Sequence, residues 1–141
     1  MATIKDAIYT RSQAVTALPA LVGTRVYPTV APKSATKPYV VFRQVFGADQ
    51  AHMGGSAGNV DTRFQFDCHA STSKVAEEVA RAIRDGFHGF RGSSSGVFIT
   101  SCLEKDTVDD YEEPKQSGSV DEFVTRVDYD IWYTVSAPSL S

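Results

Sequence analysis

Three groups of residues in this 141-residue chain have types and spacings that could do chemistry. Gly54-Gly55-Ser56-Ala57-Gly58 satisfies GxSxG, the pattern that presents a serine nucleophile in many hydrolases. That motif works where a strand turns sharply into a helix and lifts the hydroxyl toward an oxyanion hole. Here it occupies a glycine-rich stretch and leads into an alternating run, Val60 to Ala70, that reads as a strand. Ser56 is therefore expected to be a loop residue. Cys68, His69, His88 and Cys102 carry zinc-binding side chains. Neighbouring residues of a strand point to opposite faces, so Cys68 and His69 cannot readily share one ion, and no CxxC pair or HxxxH helix supports them. The third group is acidic: Asp106, Asp109, Asp110, Glu112 and Glu113 crowd around Tyr111. It lacks the spacing and central glycine of an EF-hand. What remains is a solvated loop tip or an acidic contact surface with Tyr111 as its anchor. No catalytic, cofactor-binding or metal-binding residue is assigned, and the chain is expected not to be an enzyme.

Composition narrows the class. At 42% hydrophobic residues the chain has the balance of a globular protein, expected to be a single domain over residues 1–141. Net charge of −3, with basic residues scattered along the sequence, argues against strong nucleic-acid affinity. No apolar run approaches the roughly 20 residues of a membrane-spanning helix. The first residues, MATIKDAIYT, lack the apolar stretch of a signal peptide. Two cysteines make no disulfide framework, and a Cys68–Cys102 bridge would require their strands to be neighbours in an oxidising compartment.

The elements that position these groups follow from periodicity. Glu122 to Val135 sets Phe123, Thr125, Val127, Tyr129, Ile131, Tyr133 and Val135 on one side. The other side holds Val124, Arg126, Asp128, Asp130, Trp132 and Thr134, which predicts a long central strand. Val60 to Ala70 alternates in the same way, with Phe64, Phe66 and Cys68 on the apolar face. Tyr39 to Phe46 and Val97 to Glu104 are expected strands, and Arg25 to Pro28 a short extended piece. Thr3 to Leu18 is expected as one helix capped by Thr3, with Arg11 interrupting its apolar stripe. A second helix should run from Lys74 to about Asp85 behind a Ser71-Thr72-Ser73 cap, broken by Gly86, Gly89 and Gly92. Gly47 to Asn59 and Asp106 to Ser119 are expected to be long loops. The sum is an α+β fold: a mixed or antiparallel sheet, two helices packed on one face, and two long hairpin loops.

Laid out in order, the chain resembles the phage tail-completion, or tail-terminator, family of small head–tail joining proteins. The resemblance rests on Arg25-Val26-Tyr27-Pro28, Pro32 and Pro38-Tyr39-Val40-Val41-Phe42. It continues through Arg63-Phe64-Gln65-Phe66-Asp67-Cys68, Gly89-Phe90-Arg91-Gly92, Asp110-Tyr111-Glu112 and Ile131-Trp132-Tyr133. It implies a structural virion protein assembled in the host cytoplasm into a ring, typically a hexamer, that caps the tail tube and ends its polymerisation. Its partners would be further copies of itself, the tail tube protein and the head–tail connector protein, with DNA passing through the lumen without specific binding. Contacts would fall to loops, here Asp109, Asp110, Tyr111, Glu112 and Glu113, together with Met53, Gly54 and Gly55. Alternatives are a head-side neck protein docking to portal or adaptor subunits and, from another class, a small serine hydrolase using Ser56.

Overall fold

Alternation over Val60–Ala70 and over Glu122–Val135 calls for two strands with one apolar face each, and the structure lays those faces side by side. The structure is a computed structural model, and it describes residues 3–49, 59–112 and 122–134. In chain order its elements are α1 (Ile4–Ala14), α2 (Ala17–Val22), β1 (Val26–Pro28), β2 (Tyr39–Asp49) and β3 (Asn59–Ala70). Then follow α3 (Ser73–Phe87), β4 (Gly92–Ser94), β5 (Val97–Glu112) and β6 (Glu122–Thr134). The six strands form one mixed sheet in the order β1-β2-β3-β6-β5-β4. Only β1 runs parallel to its neighbour; every other pair is antiparallel.

The centre of the sheet is the β3–β6 pair, in unbroken register from Asn59 opposite Thr134 to Ala70 opposite Phe123. Phe64 and Phe66 from β3 and Val127, Tyr129 and Ile131 from β6 are buried, as their alternation predicts. They share one core with Phe42 from β2, with Val79, Ile83 and Phe87 from α3, and with Ile8 and Leu18 from the first two helices. Phe66 sits in the middle, its ring 5.3 to 5.9 Å from those of Phe87, Tyr129 and Phe42. Truncating such a residue to alanine removes about 3–5 kcal/mol of transfer and packing energy. The three helices among the described residues all contribute to this one core, and none of them lies on the opposite sheet face.

The starts of α1 and α3 follow sequence signals. Thr3 and Asp6 form a capping box, with Asp6 Oδ2 accepting from the Thr3 N–H at 2.9 Å. Thr72 Oγ1 accepts from the Val75 N–H and starts α3. Elsewhere the structure departs from expectation. The single helix over Thr3–Leu18 is two helices with a break at Val15 and Thr16, so among the described residues three helices cover the sheet rather than two. Arg11, the interruption in the stripe, donates from Nε to the Gly86 carbonyl at 2.9 Å and lays its guanidinium over Phe90. The strand expected to end at Glu104 continues to Glu112, and Gly47 to Asp49 extend β2. Gly86 does not stop α3 but lies inside it, buried.

Gly86 is required there by close approach. A Cβ added to it would stand 2.9 Å from Val15 Cβ and closer still to both Val15 methyl groups. The break between α1 and α2 therefore rests on a bare patch of α3. Gly86→Ala gains up to about 1 kcal/mol of helix propensity. It must then overpack a stiff β-branched neighbour, which costs about 1–3 kcal/mol. Urea denaturation should show net destabilisation in the native background. In a Val15→Ala background the same substitution should be neutral or stabilising.

Candidate interaction surface

Strand residues whose side chains point away from the helices make a face with a regular charge pattern. Rows across it follow from the register. One runs Phe46, Arg63, Asp130, Leu103; another runs Val41, Asp67, Arg126, Val108. In these two rows charges occupy the central strands and apolar groups the flanking ones; the row between them runs Arg43, Gln65, Asp128, Asp106. Arg63 Nε donates to Asp130 Oδ1 at 3.1 Å, and Lys105 Nζ approaches Asp130 Oδ2 at 3.5 Å. Asp67, only 6% exposed, lies 3.7 Å from both Arg43 and Arg126 and accepts from Gln65 Nε2 at 2.7 Å. Val124, on this same side, is 1% exposed, so the charged face also buries an apolar residue at its end.

Between these pairs lie carboxylates with less help. Asp106 stands directly opposite Asp128 across the β5–β6 ladder, a like-charge cross-strand pair. Burial raises the Asp128 pKa above its ordinary value; Arg63 opposes that shift, and Asp106 adds to it. Asp61, Asp128 and Asp130 line a hollow of about 490 Å³ together with Val45 and Phe46. A second groove, of about 320 Å³, opens on the helix side between α3 and β5, where Arg84 pairs with Glu104 at 3.1 Å. Asp109 lines it and accepts from Thr125 Oγ1 at 3.1 Å.

The acidic segment expected as a loop is strand. Backbone pairing holds Asp109 opposite Thr125, Asp110 opposite Val124, Tyr111 opposite Phe123 and Glu112 opposite Glu122. Carboxylate-rich sequence disfavours a strand by itself, but β6 supplies a ready ladder and the pairing overrides propensity. Glu113, Met53, Gly54, Gly55 and Ser56 lie outside the described residues. The zinc-type residues are dispersed. Cys68 and Cys102 are both buried and free, on strands separated by β6. His69 stacks on Tyr39, and His88 Nδ1 accepts from the Glu104 N–H at 3.1 Å. Among the described residues no group of three or more His, Cys, Asp or Glu could hold a metal ion. Sequence reasoning missed the paired charges on β3 and β6. Both strands display them, but only the register shows that Arg63 meets Asp130 and Asp67 meets Arg126.

Comparison with known proteins places this arrangement. The family model for tail completion protein gp17 matches residues 6–134. The chain belongs to the tail completion protein gp17 family. Its fold is similar to that of a chain in the virion of a native gene transfer agent particle, with a TM-score of 0.66 and 21% identity over 92% of each chain. No curated protein sequence matches it. As a member of that family, the chain is a structural component of a phage virion. Among the described residues no helix is long and apolar enough to cross a membrane.

Two measurements probe the chemistry of this tail completion protein. Burial pushes the Cys102 thiol up to about 12 and Cys68 higher still. A thiolate-specific reagent such as DTNB should leave the native protein unlabelled at pH 8 and titrate two thiols in denaturant. The Asp128 carboxyl has its folded pKa raised, so its contribution to stability is present below the unfolded value of 3.8 and is lost as pH rises through the folded value. Asp128→Asn should therefore stabilise the subunit at pH 7 by a few tenths to about 1 kcal/mol. That gain should fade as the pH falls through the acid range, read by denaturation at each pH.

Proposed function

We propose that this tail completion protein assembles as a ring, six-fold in its simplest form, that caps the tail tube, ends tube polymerisation and docks the head-side connector. Family membership over residues 6–134 carries the reading. Support comes from a sheet face on which none of the described helices lies, patterned with charge and carrying the exposed Phe46, Leu103 and Val108, which suits contact with other chains. Closed rings use heterologous contacts, in which one patch of each subunit meets a different patch of the next. A net charge of −3 suits a lumen that lets DNA pass without gripping its phosphates. The role is structural, and no step of catalysis is assigned to any residue.

Within this reading the end of the β5–β6 hairpin is the contact segment. Asp109, Asp110, Tyr111, Glu112 and Glu113 would meet a neighbouring subunit or the connector, with Tyr111 as anchor and the carboxylates setting orientation. Met53, Gly54 and Gly55 would make contacts from the other hairpin. Electron microscopy of the protein mixed with tail tubes lacking it should show a ring at one tube end. The pair Asp110→Lys and Glu112→Lys should leave a folded subunit yet block the joining of heads to tails. Normal yields of infectious particles from that variant would refute the contact assignment.

A further inference from the structure

Both long sides of the sheet are only partly closed. On one side β1 pairs with β2 at Val40, Val41 and Phe42 alone. Among the described residues no strand pairs with the outer edge of β2 from Arg43 to Asp49. On the other side β4 pairs with β5 at Val97, Phe98 and Ile99 alone. Gly89 N–H then donates to the Cys102 carbonyl and His88 Nδ1 takes the Glu104 N–H, so the turn after α3 covers β5 as far as Glu104. From Lys105 to Glu112 no strand pairs with that outer edge among the described residues. A free edge of this length is a template for another strand.

We infer that the outer edge of β5, Lys105–Glu112, pairs antiparallel with the outer edge of β2, Arg43–Asp49, of the next copy of this chain. The inference rests on the ring reading and specifies its subunit contact. Three observations select this occupant. Strand direction is the first. β2, β3, β6 and β5 alternate in direction, so β2 runs opposite to β5 and the two edges can pair antiparallel; the open stretches lie toward opposite ends of the sheet, so they meet when the strands are tilted to the ring axis. The two open segments, 43–49 and 105–112, differ in length by one residue.

Exposed apolar side chains supply the second. Of the five large apolar residues exposed among the described residues, four sit at these two sides of the sheet: Val45 and Phe46 on β2, Leu103 and Val108 on β5. By register Phe46, Leu103 and Val108 share the helix-free face, and Val45 joins Phe46 in the hollow there. Side chains on one face of adjacent strands stand about 4.5–5.5 Å apart at Cβ, so the joint would cover groups that the single subunit leaves 43% to 55% exposed.

Charge supplies the third. The open edge of β5 carries Lys105 against Asp106, Asp109, Asp110 and Glu112. A two-fold pairing of β5 with its own copy would set carboxylates against carboxylates. The open edge of β2 holds Arg43 against Asp49 and raises no such barrier. The contact is therefore heterologous, which is the kind that closes a ring.

Cysteine cross-linking tests the joint, because Cys68 and Cys102 are buried. Four double variants span the registers: Val45→Cys or Phe46→Cys combined with Leu103→Cys or Val108→Cys. Under mild oxidation at least one of the two Val108→Cys pairs should give a disulfide ladder of dimers, trimers and larger species on non-reducing gels, while the Leu103→Cys pairs, on the stretch covered by the turn after α3, and the single variants stay monomeric. Val45→Glu with Phe46→Glu should abolish rings while circular dichroism still reports a folded subunit; the matching lysine pair should retain more assembly. Rings that persist in the glutamate variant, or form in all four double variants without any ladder, would overturn the edge pairing and leave the ring reading standing. Dimers from Val108→Cys alone would also overturn it, in favour of a two-fold contact. If the wild-type protein forms no ring, alone or on tail tubes, the ring reading fails and the edge pairing with it.

Discussion

Pairing of β3 with β6 is the constraint on which the rest of the molecule depends. Twelve consecutive positions face each other without a bulge, from Asn59 opposite Thr134 to Ala70 opposite Phe123. Because side chains alternate with a period of two, one slip in that register would exchange Phe64, Phe66, Tyr129 and Ile131 with Arg63, Asp67, Asp128 and Asp130. The energy at stake is several buried aromatic side chains, far more than any one ion pair on the other face can offer. Irregularities are confined to the outer strands. The β2–β3 ladder shifts near Val45, and the β5–β6 ladder shifts twice, near Thr100 and Lys105.

With the centre fixed, the helices have one place to go. α3 lies over β3 and β6 because its apolar residues meet the aromatic ones there, and the α1–α2 corner closes on α3 at Gly86. Ser94 Oγ donates to the Ala7 carbonyl at 2.7 Å in a buried setting, which ties the far edge strand β4 to α1. This leaves the other face with neighbouring charges held as cross-strand pairs. The more exposed of these pairs, such as Lys105 with Asp130, contribute little to stability, on the order of 0–1 kcal/mol each.

Much of this was legible in the sequence, for a physical reason. Alternation in β3 and β6 is a local signal imposed by burial of one face, so Phe64, Phe66, Val127, Tyr129 and Ile131 could be placed in the core without any partner in view. Thr3 and Thr72 cap their helices through contacts only three residues long, and these too are readable locally. What failed was non-local. Asp106 to Glu112 has the composition of a loop and becomes strand only because β6 lies alongside. The break after Ala14 depends on Gly86, far away in the chain, and nothing near Val15 announces it. The surface followed the same division: its acidic residues were visible as charge, while the pairing of Arg63 with Asp130 and of Arg126 with Asp67 required the register.

The two hairpins give the subunit a direction. The chain leaves β2 at Asp49 and re-enters at Asn59 beside Thr134, at one end of the sheet. It leaves β5 at Glu112 and re-enters at Glu122 beside Phe123 and Ala70, at the opposite end. One connection is rich in glycine and nearly uncharged, while the other follows a run of carboxylates. Identical subunits joined by a rotation all point the same way. A cyclic assembly of them would have two unlike rims, and it could not be turned over and seated equally well.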